Sequence, residues 1–324
     1  MATAAIPIPT RFTRAVARFA WLTLGCFILV VLWGAVVRAT GSGAGCGANW
    51  PLCNGDFFPH HPRLATIIEF THRSTSGLCV ALDLTLIAWT FRVTPRRHPA
   101  RAAVLWSFAL LLSEAAFGAV LVLRHYVENN ISTGRVAMQS IHFTNTLLLM
   151  ASLALTAWFL GPTRGASTRT SPLAPRTFPT LWPTLLAIAS TLVVGATGSL
   201  AALADTLFPS PTLRAALASD FARSSPLLVR MRWMHPAAAA VAFGCVLLVI
   251  RTRTRTARLV FALMLLQFVL GAADVLLLAP TWMQVLHLLG ADLYWVALFL
   301  LAAETAWPTA AFSIEPTPGP RTLV

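Results

Sequence analysis

Apolar residues gather into eight long runs, and the short stretches between them hold most of the arginines and prolines. The runs cover roughly 19–37, 65–91, 102–123, 136–160, 181–203, 229–250, 258–278 and 282–304. A helix needs about 20 apolar residues to cross a bilayer, so each run predicts a transmembrane helix. The second is the least uniform, because Glu69, His72, Arg73 and Asp83 interrupt it. An even number of crossings returns both termini to one side. Segment 161–180 is rich in Pro, Thr and Arg, has no apolar period, and predicts a linker between two sets of four helices.

Composition supports an all-α polytopic membrane protein. Of 324 residues, 57% are apolar and 11% charged, against about 25% charged in an ordinary soluble domain. The net charge of +13 does not mark a nucleic-acid partner, because the basic residues sit between apolar runs. Residues up to Arg18 carry no signal peptide with a small-residue cleavage site. With the N-terminus inside, 15 of the 24 arginines fall on the inner side and 9 at or near the outer side. The positive-inside rule therefore predicts cytoplasmic termini in a cell-membrane protein.

The two sets of four resemble each other. Ala39-Thr40-Gly41-Ser42 matches Ala196-Thr197-Gly198-Ser199, and Glu114 with Gly118 matches Gln267 with Gly271. Met138-Gln139-Ser140-Ile141-His142 matches Met283-Gln284-Val285-Leu286-His287, and His72 corresponds to His235. The order predicts two pseudosymmetric four-helix bundles related by parallel duplication, residues 1–160 and 181–324, joined by a cytoplasmic linker over 161–180.

Four histidines carry the chemistry. His72, His142, His235 and His287 lie one per even-numbered run, each one to two turns past its outer end. Polar residues at that depth are costly and usually functional. Two histidines on facing helices can supply both axial ligands of a haem. One pair per half gives His72 with His142 and His235 with His287. A single four-histidine metal site is the alternative, and a bond to a neighbouring helix the structural one.

The halves differ three residues before the first histidine, where Glu69 stands in one and Arg232 in the other. A carboxylate beside an iron site can move protons or stabilise positive charge; a salt bridge to Arg73 or Arg38 is its structural alternative. A cation can pair a haem propionate or anchor the interface, and Arg38, Arg73, Arg135 and Arg232 are candidates. Gln139 and Gln284 share a helix face with their histidines and can serve a ligand or join helices. Cys46 and Cys53 flank a short outer loop, where they can close a disulfide or exchange with thiols.

These residues resemble the heme A synthase family. The resemblance rests on Gly34-Ala35-Val36-Val37-Arg38-Ala39-Thr40-Gly41-Ser42-Gly43, on the loop Cys46…Asn49-Trp50-Pro51-Leu52-Cys53-Asn54-Gly55, on Glu69-Phe70-Thr71-His72-Arg73, and on the single histidine in each later even run. It covers about residues 19–305. It implies oxidation of a ring methyl of heme O to a formyl group, giving heme A for terminal oxidases. It also implies that His72 and His142 bind the substrate haem, that His235 and His287 bind a haem b cofactor, that Glu69 is the catalytic carboxylate, and that Cys46 and Cys53 form the family's first-loop disulfide. Some bacterial members carry a second cysteine pair in the outer loop after the fifth span; residues 204–228 hold none. The partners implied are heme O, membrane lipid, the heme O synthase that supplies it, an electron carrier or quinone, and a second copy of the chain. The rival readings are a bis-histidine membrane cytochrome b that transfers electrons without modifying haem, and a haem carrier without chemistry.

Overall fold

A computed structural model describes residues 10–161, 178–249 and 254–307. Nearly all of them are helical: α1 Thr10–Ala39, α2 Leu64–Val93, α3 Pro99–Leu123, α4 Thr133–Phe159, α5 Phe178–Leu207, α6 Leu213–Phe221, α7 Leu227–Arg230, α8 Met234–Val249, α9 Arg255–Leu276 and α10 Thr281–Ala306. A 3-10 turn covers Ser42–Ala44. Among the described residues, eight helical spans are long and apolar enough to cross a membrane, α7 and α8 together making one of them. Most of the predicted linker, 162–177, lies outside the described residues.

Local sequence explains the starts. Ser132 and Thr254 each accept a backbone N–H of the first turn, from Arg135 and Ala257. At α3, Pro99 takes the first position and His98 Nδ1 accepts from Ala100 N–H, which suits a residue with no amide hydrogen to lose. The polar second run stays helical because its side chains find partners. Glu69 pairs with Arg73 one turn on, Asp83 accepts from Ser107 of α3 at 3.0 Å, and the Thr75 and Ser76 hydroxyls bond back to carbonyls in their own helix.

Two features depart from the sequence reading. The outer loop after α5 contains a short helix, α6, started by Thr212, whose hydroxyl accepts from Ala215 N–H. The run 229–250 is broken: α7 stops at Arg230, a turn covers Met231–Trp233, and α8 restarts at Met234. Pro236 is the cause, since it has no N–H for the Arg232 carbonyl and its ring clashes there. Met234 and His235 instead bond to carbonyls three residues back.

The packing divides along the chain. α1 packs on α2 and α4, and α3 on α2 and α4; α5 packs on α8 and α10, and α9 on α8 and α10. The two sets meet where α4 touches α5 and α10, and α1 touches α10 and α5. There Trp295 of α10, 1% exposed, donates to the Leu147 carbonyl of α4 at 2.7 Å. The outward faces carry large apolar side chains such as Leu29, Trp106, Val241 and Val269, as a lipid-facing surface requires. Backbone groups are satisfied within helices, the condition for crossing hydrocarbon.

Candidate functional site

The four histidines sit toward the end of the bundle that bears the loops 40–63, 124–132 and 208–226. Each lies six to nine residues past the start of its span at Leu64, Thr133, Leu227 or Thr281, roughly 9–14 Å along the axis at 1.5 Å per residue. A glycine on a neighbouring helix faces each ring: Gly34 of α1 faces His72, Gly118 of α3 faces His142, Gly198 of α5 faces His235, and Gly271 of α9 faces His287. A methyl group on Gly198 would stand 2.8 Å from His235 Cε1, and on Gly34 3.0 Å from His72 Cε1. At Gly34 and Gly198 the imidazoles thus lie against bare backbone, where a side chain would displace them.

This contact corrects one of the repeat matches. Gly41 lies past the end of α1, with φ +66°, whereas Gly198 lies within α5 against His235. The α1 residue that plays the part of Gly198 is Gly34. Gly41, seven residues later, is beyond the helix and meets no histidine.

His235 and His287 face each other, with ring centroids 6.2 Å apart and planes at 82°. Two imidazoles bound on opposite sides of one metal at about 2.0–2.1 Å per bond hold their centroids roughly 6 Å apart, so this pair fits an axially ligated haem iron. His235 Nδ1 meets the Val194 carbonyl at 3.1 Å, which leaves Nε2 for a metal, the arrangement typical of ligating imidazole. The Nδ1 atoms of His72, His142 and His287 are buried without a hydrogen-bond partner; an interhelical bond does not use them up. Among the described residues no three His, Cys, Asp or Glu side chains converge as a metal-ion site.

Glu69 is 3% exposed and lies one turn from His72 on the same face. Its Oε2 accepts the Cys46 N–H at 2.7 Å, and its Oε1 accepts Arg73 Nε at 3.1 Å. Arg73 Nη1 also donates to the Asn49 and Leu52 carbonyls, at 2.6 and 2.7 Å. Cys46 and Cys53 are joined by a disulfide. The ion pair therefore clamps the disulfide loop to α2. Gly45 allows the approach, since a Cβ there would strike the Ala65 backbone.

The other three candidate arginines also bond protein groups, though Arg135 Nε is left buried without a partner. Arg232 donates to Asp205 and Asp220, at 2.8 Å each, and to Ser219 Oγ and the Ala216 carbonyl, binding α6 to the bundle. Arg38 donates to the Ala202 carbonyl and Thr206 Oγ1 of α5 and to Gln284 Oε1 of α10. Gln284 also donates to the Ala279 carbonyl, so it joins helices. Arg135 donates to the Glu128 and Asn130 carbonyls. Glu114, which the repeat aligns with Gln267 without assigning a role, stands 3.3 Å from His142 Nδ1.

Fold and site define a polytopic α-helical membrane protein with paired intramembrane histidines. The chain belongs to the COX15-CtaA family of cytochrome oxidase assembly proteins, whose model matches residues 17–299. A protoheme IX farnesyltransferase of Thermus thermophilus is 40% identical over 311 residues, 92% of this chain and 50% of that protein. Heme A synthases of Bacillus cereus and Bacillus anthracis are 36% identical over 128 residues, 40% of this chain and 39% of theirs. The chain thus spans about half the length of the Thermus relative and less of the Bacillus ones.

Proposed function

We propose that this chain is a heme A synthase, an oxidoreductase that converts the heme O methyl to a formyl group. The observation that carries the reading is the pair His235 and His287 at a separation suited to one axially bound iron, with His72 and His142 as the matching pair of the other half. Residues 1–160 form the half that binds substrate heme O, 161–180 the linker, and 181–324 the half that binds haem b. When bound, haem b supplies one-electron redox capacity. His235 and His287 orient it, and His72 and His142 orient the substrate.

Glu69 is the catalytic carboxylate of this reading. Its desolvated charge, fixed by Cys46 N–H and Arg73, supports a role in stabilising positive charge at the substrate edge or accepting a proton there. The Thermus relative bears the name of a prenyl transferase, but this chain matches half of it. Prenyl transfer from a diphosphate calls for groups that hold pyrophosphate and its metal, whereas the constellation here is imidazole facing glycine in an apolar interior. The arginine asymmetry supports cytoplasmic termini and the cell membrane. A heme O synthase, an electron carrier or quinone, and a second copy of the chain are its proposed partners.

The test is co-expression with a heme O synthase in a host lacking heme A, with non-covalent haems extracted and weighed by mass spectrometry. Heme A or its hydroxylated precursor is expected. Folded, haem-loaded protein that yields only haem b and heme O, with electron donor and acceptor supplied, would instead establish an electron-transfer cytochrome.

A further inference from the structure

Glu114 separates the two histidine pairs in a way that Glu69 does not. On α3 it stands four residues before Gly118, which faces His142; the same place on α9, four residues before Gly271, which faces His287, holds Gln267. Three side chains fix the carboxylate. Its Oε2 accepts from Asn145 Nδ2 at 2.6 Å and its Oε1 from the Thr146 hydroxyl, while Ser113 Oγ holds the Asn145 amide by donating to its oxygen at 2.8 Å. So held, Oε1 lies 3.3 Å from His142 Nδ1. That is the distance of a hydrogen bond but not its direction, because Nδ1 has no aligned partner. A turn of the ring about its Cβ–Cγ bond, a soft torsion, is the adjustment that the hydrogen bond requires.

The other half lacks the whole arrangement. Asn145 and Thr146 are three and four residues after His142; three and four residues after His287 come Gly290 and Ala291, which have no side-chain donor. Gln267 is left with both its amide nitrogen and its oxygen buried and unpartnered. Carboxylate and donors thus occur together in one half, and the corresponding positions of the other, Gln267, Gly290 and Ala291, hold neither.

We propose that Glu114 is a positioning residue that holds His142 by Nδ1, leaves Nε2 to the metal, and makes His142 the more electron-donating ligand, so that the haem iron of the N-terminal half is the easier of the two to oxidise. The proposal rests on reading the four histidines as axial haem ligands. A carboxylate bonded to the far nitrogen of a ligating imidazole orients the ring and strengthens its donation, and hydrogen bonding beyond the ligand is one lever on a haem potential. Neutral Gln267 exerts neither effect on His287. The iron that faces the substrate chemistry is thereby distinguished from the iron that relays electrons.

The test is a redox titration of the full chain, purified in detergent with its haems, followed optically and by EPR of the oxidised state. Two components are expected, the lower-potential one lost in His72→Ala and so assigned to the N-terminal half. Glu114→Gln should raise that component and leave the other in place. Thr146→Val keeps the charge but frees Oε1; it should raise the same component by a smaller step and change the anisotropy of its low-spin EPR signal. A component unmoved by Glu114→Gln overturns the proposal. So does one moved by Glu114→Gln but untouched by Thr146→Val, since the carboxylate then acts only as a nearby charge. Should Glu114→Gln fail to accumulate, Gln267→Glu is expected to lower the C-terminal component, and no lowering overturns the proposal. A wild-type protein without any bis-histidine low-spin signal is a separate result, and it refutes the ligand reading itself.

Discussion

Arg38 of α1 donates to Gln284 Oε1 of α10 at 2.7 Å, across the boundary between the two sets of four helices. Arg38 is one turn beyond Gly34, which faces His72, and Gln284 is one turn before His287. The same guanidinium holds the Ala202 carbonyl and Thr206 Oγ1 of α5, at 2.7 and 2.6 Å. One side chain therefore sets the height of α1, and with it the wall behind His72, against the two helices that carry Gly198 and His287.

Arg38→Met should leave three half-buried acceptors without this donor. Charged hydrogen bonds of this kind are each worth up to about 3 kcal/mol, and the expected outcome is a clear fall in the thermal unfolding midpoint of the detergent-solubilised chain. An unchanged midpoint would show that water replaces the guanidinium.

The glycines opposite the histidines give a graded prediction. A Cβ at Gly198 would stand 2.8 Å from His235 Cε1, but one at Gly118 would stand 4.0 Å from His142 Cε1, ordinary contact. Gly198→Ala should displace His235 at a cost of about 1–3 kcal/mol and lower haem occupancy of the C-terminal half. Gly118→Ala should leave occupancy as it is. Haem-to-protein stoichiometry with low-spin EPR measures both, and equal losses would sink the packing argument.

Glu69→Gln keeps the shape of the side chain and removes its charge. Haem content should persist while heme A formation falls by about 10²–10⁴-fold, the range for a lost acid–base group. Extracted haems, analysed by mass, report both quantities at once. Normal turnover would reduce Glu69 to a clamp for the loop.

Cys46→Ser opens the loop without touching the Cys46 N–H that binds Glu69. Loss of a short cross-link costs about 2–3 kcal/mol, so the thermal midpoint should fall while haem stays bound. A reductant added to the wild-type chain should cause a similar fall. A midpoint indifferent to both treatments would mean that the Glu69–Arg73 clamp alone secures the loop.

The spans were legible because hydrocarbon tolerates few alternatives to an unbroken apolar helix, and observed helices extend the expected runs by a few residues at most of their ends. The exceptions are informative. Pro236 signalled the break at 231–233, but its position just after the histidine lay inside an apolar run and was read through. α6 carries too little apolar periodicity to stand out in the loop. One-per-span spacing pointed to the pairing of His235 with His287 that the structure brings together, whereas Gly34 opposite His72 was missed, because the Ala-Thr-Gly-Ser match fell on Gly41, beyond the end of α1. The Glu114 cluster could not be read along the chain, since Asn145 and Thr146 lie on another helix. Its signal was the contrast between Asn145-Thr146 and Gly290-Ala291 at equal distances from the two histidines.

The restart of the sixth span at Met234 places His235 in the first turn of α8, just after the turn at Met231–Trp233. His72 lies within α2 with continuous helix on both sides. Helix ends open locally at far lower free energy than helix centres. The backbone amides at Met231–His235 should accordingly exchange with deuterium before those around His72, so that His235 stands on backbone that opens more readily than that of its counterpart.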